Sequence, residues 1–234
     1  MSVTPLPNQS ELQHPKNLNP NHIEIDPASL TSLDRYKILV GAVVPRPIAW
    51  VSTRSPAGID NLAPYSFFNA VGCDPMLLLF CPANKPDGSE KDSLRNAKPI
   101  NQGGSGEFVV NIVSHALAQA MNTTAASLPY ETSEFEHAHI ATAPCAKVRC
   151  ARVALAPVSF ECITHEIIRT NGTAPNAGNI VIGKVVNVWL APGIATEQLH
   201  LDPATLDAIG RLGGSTYCTS RDRFDITRPG AGGG

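Results

Sequence analysis

Lys91, Asp92 and Ser93 stand together in the stretch EKDS (90–93), where a helix is expected to begin. A lysine ammonium, a serine hydroxyl and the unpartnered N–H groups of a first helical turn together suit a phosphate. A capped, charged surface helix would carry the same letters, so the triplet alone decides nothing. A second stretch, NLAPYSFFNAV (61–71), interleaves Asn61, Tyr65, Ser66 and Asn69 with Pro64, Phe67 and Phe68. A third, PRPIAWVST (45–53), brackets Arg46 between two prolines and closes on Ser52 and Thr53. Pro45 and Pro47 fix φ and remove two donors, so the chain should enter a strand stiffly at a sheet edge. Read on its own, this stretch makes Trp50 a core residue and the two hydroxyls turn formers.

Other chemistries find little support. There is no G-x-S-x-G, H-E-x-x-H or Walker loop. His137 and His139 form an H-x-H, but a third ligand at useful spacing is missing, so no metal site is expected. SEFE (133–136) reads as a solvated face. The six cysteines lie far apart with no C-x-x-C, which suits reduced thiols in a cytoplasmic protein. Net charge is −2, so no basic field exists to hold a nucleic-acid backbone. The first residues lack the basic and apolar regions of a secretory signal, and no run approaches the ~20 apolar residues of a membrane span.

The elements that position these residues are mostly strands. Runs rich in β-branched and aromatic residues occur at 36–44, 47–53, 59–71, 76–81, 107–113, 146–156, 158–170 and 179–191. SPAG (55–58) is a turn between two of them. Short helices are expected at 89–97 with Ser89 as N-cap, at 114–126 with Ser114 as cap, and at 202–210. In the last, Asp202 caps, Pro203 stands at the first position and Gly210 follows the end. The pattern is mainly β, a barrel or sandwich with a few short helices. Residues 1–35 read as an irregular Pro- and Asn-rich arm, 36–228 as one domain, and 229–234 as a flexible tail.

Taken together, PRPIAWVST, NLAPYSFFNAV, DPMLLLF, KDS, EFVVNIV, SEFE, IGKVVNVW and RLGGSTY resemble the flavin reductase-like family, in the order seen there. The flavoredoxin-type branch is the most similar, over about residues 36 to 228. Ser93 stands where the family commonly has threonine and Asp74 where it commonly has proline. Serine keeps the hydroxyl. The resemblance implies an FMN-binding split β-barrel with Greek-key topology. FMN, with FAD as the alternative, needs an apolar wall, directed hydrogen bonds and positive potential. The implied cofactor contacts are Trp50, Val51, Ser52, Thr53, Asn61, Ala63, Pro64, Tyr65, Ser66, Phe67 and Asn69. The hydroxyls of Ser52 and Thr53 would face the flavin, and Lys91, Asp92 and Ser93 would lie at the phosphate. Arg46, facing the cofactor mouth or a second subunit, and Arg211, Gly213, Gly214 and Tyr217 of RLGGSTY form a second tier.

The implied activity is an NAD(P)H-dependent flavin reductase, with NAD(P)H as transient reductant and no catalytic side chain beyond those that position. The acceptor would be a partner monooxygenase or another electron acceptor. A non-enzymatic electron carrier and an FMN enzyme with its own organic substrate are the alternatives. A homodimer is expected.

Overall fold

A computed structural model describes residues 22–226. The readings of residues 1–21 and of the 229–234 tail lie outside them. The chain divides into two compact units between Leu39 and Val40.

Residues 36–44 are not a strand. Helix α1 runs Ser32–Ala42. The missed signal is a threonine N-cap: the Asp34 N–H donates to Thr31 Oγ1 at 3.1 Å, and the Thr31 hydroxyl donates to Asp34 Oδ2 at 2.6 Å. The β-branched content of the stretch had outweighed it. Beyond the helix, β1 (Arg46–Pro47) pairs with β11 (Ile209–Arg211), and β11 with β12 (Tyr217–Thr219). β1, which holds Pro47, is an edge strand of this small sheet, but the strand the prolines lead into, Ala49–Arg54, is an interior strand of the main sheet rather than an edge.

The main sheet has seven antiparallel strands. They are β2 (Ala49–Arg54), β3 (Asp60–Tyr65), β4 (Phe68–Cys73), β5 (Met76–Phe80), β6 (Glu107–Ile112), β9 (Val158–Arg169) and β10 (Asn179–Leu190). Their order is β3-β2-β6-β9-β10-β5-β4. The two outer strands, β3 and β4, are consecutive in the chain and separated only by Ser66 and Phe67. A sheet whose opposite edges are joined so closely has to curl on itself, giving the split β-barrel. Its interior is apolar: Tyr65, Phe80 and Phe108 stack in sequence with ring centroids 5.2 Å apart at each step. Gly183 on β10 makes room for Phe108, since a Cβ there would lie 2.2 Å from the ring.

Between β6 and β9 the expected strand at 146–156 shrinks to β8 (Arg152–Val153), paired with β7 (Thr142–Ala143). The reason lies in its N–H groups, which go to side chains rather than to a ladder. Ala146, Lys147 and Val148 donate to the Glu161 carboxylate, Arg149 to Glu107, Ala151 to Asp60, and Val153 to Asn111.

The helices are short: α2 (Asp92–Ala97), α3 (Ala118–Thr123), α4 (Glu134–His137) and α5 (Pro203–Leu206). Asp202 caps α5 as expected, accepting from Ala204 and Thr205 N–H at 3.0 Å each. The helix stops earlier than read, at Asp207 in the left-handed region, and Gly210 belongs to β11. Ser89 does not cap α2, because Asp87 captures its hydroxyl at 2.6 Å; Lys91 is the N-cap residue. Ser114 precedes a 3-10 turn and makes no side-chain cap bond. Among the described residues no cluster of three His, Cys, Asp or Glu could hold a metal ion, and no helix is long and apolar enough to cross a membrane.

Candidate functional site

Strand β3 is one edge of the main sheet, and helix α2 packs beside it on β2, β3 and β6. Between them opens a cleft of about 620 Å³, within the range of small-molecule and cofactor sites. From β3 it takes Asn61, Ala63, Pro64 and Tyr65; from the start of α2, Lys91, Asp92 and Ser93. Two motifs about 30 residues apart thus meet at one site. Pro64 suits an edge strand because it has no N–H to leave unpaired.

The cleft carries polar groups with defined partners. Glu134 of α4 is buried and accepts from Asn61 Nδ2 at 2.8 Å and from the Leu62 N–H at 2.9 Å. Asn61 Oδ1 then accepts from the Ser93 hydroxyl at 2.8 Å and the Thr53 hydroxyl at 3.3 Å. Thr53 Oγ1 in turn accepts from Asn96 Nδ2 at 3.0 Å, and Asn96 Oδ1 from the Tyr130 hydroxyl at 2.7 Å. The carboxylate, which only accepts when ionised, orients the Asn61 amide and with it the rest of the chain. Burial raises the pKa of Glu134, against the pull of its hydrogen bonds. Burial likewise pushes the Tyr65 phenol far above its ordinary value, so it stays neutral.

Positive charge comes from two lysines. Lys85 pairs with Asp92 at 3.4 Å. Lys91 lies 5.8 Å from the Tyr65 ring centroid and has no carboxylate within ion-pairing distance among the described residues. Desolvation and the neighbouring Lys85 lower its pKa. The N–H groups of Asp92 and Ser93, in the first turn of α2, have no intrahelical acceptor. An ammonium and these amides, beside a wall made by Ala63, Pro64 and Tyr65, fit a planar ligand that ends in a phosphate. A larger opening of about 800 Å³ between residues 58–60 and 131–142 fits one less well, since its lining holds no lysine or arginine.

Other singled-out residues lie elsewhere. β2 is hydrogen-bonded to β3 on one side and to β6 on the other from Ala49 through Ser52. The backbone of Trp50, Val51 and Ser52 is therefore engaged in the sheet. Trp50 is fully buried, with its indole N–H on Thr124 Oγ1 at 2.9 Å, and Val51 fills the barrel. The Ser52 hydroxyl donates to the Ala151 carbonyl at 2.6 Å, and the Thr53 hydroxyl sits one hydrogen bond behind the cleft. Arg46 does not face outward. It is 5% exposed and donates to the carbonyls of Val40, Val43 and Leu212 and to Ser66 Oγ, with Phe67 beside it. It ties the β11–β12 turn to the β3–β4 corner. In that turn Arg211 contacts the Tyr217 hydroxyl and ring and the Gly214 carbonyl, and Gly214 has φ +59°. Gly213 approaches the backbone of Val40 and Gly41. Asn69 lies exposed on β4.

Lys85, Asn84, Thr124, Glu134 and Asn176 also line the cleft and were not singled out. Glu134 was read as solvated because two other acidic and polar residues surround it in SEFE. Its burial depends on β3, 70 residues earlier, and no local pattern reports that.

A family model, the flavin reductase like domain, matches residues 40–209. An uncharacterized protein of Deinococcus radiodurans is 39% identical over 215 residues, 89% of this chain and 90% of that one. Nitrilotriacetate monooxygenase component B from Bacillus cereus superposes with a TM-score of 0.82 at 33% identity, over 89% of this chain and 100% of its own. The 2-nitrobenzoate 2-nitroreductase NbaA of Pseudomonas fluorescens superposes with a TM-score of 0.78 at 30% identity, over 89% and 98%.

Proposed function

The chain belongs to the flavin reductase-like family, and from that premise we propose that it is an NAD(P)H-dependent flavin reductase using FMN in the β3–α2 cleft. The observation that carries the reading is an unpaired ammonium, Lys91, beside the first turn of α2 at one end of a cleft walled by Ala63, Pro64 and Tyr65. Lys91 and the first-turn amides of α2, that of Ser93 among them, hold the phosphate, and FAD would have to place its longer tail past the same group. The β3 wall orients the ring, with Tyr65 kept neutral beside it. When bound, the flavin supplies the hydride acceptor and then the electron donor. The protein's part is positioning and exclusion of water, which suits a site without a general base.

The relationship to a monooxygenase component B supports delivery of reducing equivalents to a partner oxygenase. The relationship to a nitroreductase favours a second reading, in which the protein reduces an organic substrate itself. A homodimer is part of the proposal: Phe67, Val71 and Met76 form exposed apolar surface on β4 and its flanks. A cytoplasmic location is also proposed, supported by six free cysteines spread through the chain.

Anaerobic stopped-flow mixing of the FMN-loaded protein with NADH and with NADPH tests the activity. Rapid bleaching of the flavin band by one of them is expected. No bleaching by either would refute the reductase reading. Flavin reoxidation that depends on an added nitroaromatic would favour the second.

A further inference from the structure

We propose that Lys98 and Arg169 are positioning residues for the phosphate end of the flavin site, acting by holding the Glu90 carboxylate away from Lys91. The inference rests on the flavin reading of the cleft. Glu90 is the sequence neighbour of Lys91, and a carboxylate released there would be a competitor of any incoming phosphate for the ammonium. Glu90 is instead engaged from elsewhere. Its Oε2 lies 2.7 Å from Lys98 Nζ, beyond the end of α2, and its Oε1 pairs with Arg169 Nη1 at the end of β9. All three side chains are at most 29% exposed, so solvent screens these pairs only in part. Despite the cost of burial, the two cations hold the Glu90 carboxyl below its ordinary pKa.

The carboxylates nearest Lys91 in sequence are thereby engaged elsewhere, and Glu134 across the cleft is held by Asn61 and the Leu62 N–H. Asp92 faces Lys85, Asp87 accepts from Ser89, and Glu90 is held by Lys98 and Arg169, which leaves Lys91 for a ligand anion.

Arg169 cannot follow Glu90 toward Lys91, because the β9–β10 turn is pinned. Arg169 Nη2 also donates to the Gly172 carbonyl at 2.9 Å. Asn84 Nδ2 donates to the carbonyls of Gly172 at 3.0 Å and Ala174 at 2.9 Å, and the Asn84 N–H to Ala177 at 2.9 Å. Gly88 is pressed so closely on the turn that a Cβ would lie 2.3 Å from the Thr173 carbonyl. A hairpin about 80 residues away thus keeps the charge of the phosphate end uncompensated.

The test is a fluorescence titration of full-length protein with FMN and with riboflavin, which lacks the phosphate. The variants are E90Q, K98M/R169M and E90Q/K98M/R169M, with thermal melts to verify folding. In K98M/R169M the released Glu90 is expected to weaken FMN about fivefold, the scale of one partly exposed ion pair, and to leave riboflavin within about twofold. Adding E90Q should restore FMN affinity, because it removes the competitor without restoring either cation. E90Q alone should not weaken FMN. If K98M/R169M does not fold, K98M alone, which keeps the Arg169 tether, should show a smaller loss that E90Q also reverses. An unchanged FMN affinity overturns the inference. So does a loss that E90Q fails to reverse, which would make the cations supports of the turn alone. K91M is the control: if it leaves FMN unaffected, the flavin reading of the cleft falls too, whereas a K91M loss with a silent K98M/R169M overturns the sequestration alone.

Discussion

Replacing Lys91 by methionine keeps the length and apolar stem of the side chain and deletes its charge. A hydrogen bond to a charged group contributes about 1.5–3 kcal/mol. Lys91 remains open to solvent on one side, so the lower part of that range applies, about 1.5–2 kcal/mol, or roughly a 10- to 30-fold rise in Kd for FMN. Riboflavin would meet the same Ala63–Tyr65 wall without needing the ammonium, and its Kd should move by less than about twofold. The assay is quenching of flavin fluorescence, repeated at two salt concentrations, since the charge-dependent part should shrink as salt rises. Because the pKa of Lys91 is lowered, the wild-type preference for FMN should fade with rising pH earlier than for an ordinary lysine. Equal weakening of FMN and riboflavin, or no weakening of either, would refute the placement of a phosphate at the start of α2.

Two further outcomes follow from the packing and the buried carboxylate. Gly183→Ala would drive a Cβ to 2.2 Å from Phe108, which also packs edge-on against Phe80. Overpacking of this kind costs about 1–3 kcal/mol, so a fall in Tm of roughly 2–12 °C is expected; an unchanged melt would show that the ring has somewhere to go. Glu134→Gln keeps an acceptor for the Leu62 N–H but cannot ionise. Burial raises the folded-state pKa of Glu134, so the folded protein retains a proton that the unfolded chain loses, and wild-type stability falls as pH rises through that interval. The Tm of wild type relative to E134Q should therefore decline as pH rises above the ordinary carboxylate range; a difference independent of pH would contradict it.

Much of the barrel could be read from residue order, because β2, β6, β9 and β10 each carry a β-branched or aromatic run and β5 a short apolar one, while the 59–71 run divides at Ser66 and Phe67 into β3 and β4. What failed had non-local causes or weak local signals. The 146–156 run looks like a strand, but side chains from four distant places take its N–H groups. Helix α1 depends on one Thr31–Asp34 cap that its β-branched content hides. In the cleft, the contiguous motifs 61–65 and 91–93 were legible, since each lies within one element end. Glu134, Lys85 and Asn176 reach the same space from segments whose meeting only the folded chain reveals. Arg46 read as outward because arginines usually are; three backbone carbonyls make its burial tolerable.

The central claim is that β3 and the start of α2 together grip a flavin. A crystal structure of the protein soaked with FMN tests it most directly. The account predicts electron density for the ring along Ala63–Tyr65 and for the phosphate within hydrogen-bond reach of Lys91 and Ser93. Well-ordered FMN bound anywhere else, with this cleft holding solvent only, would contradict it.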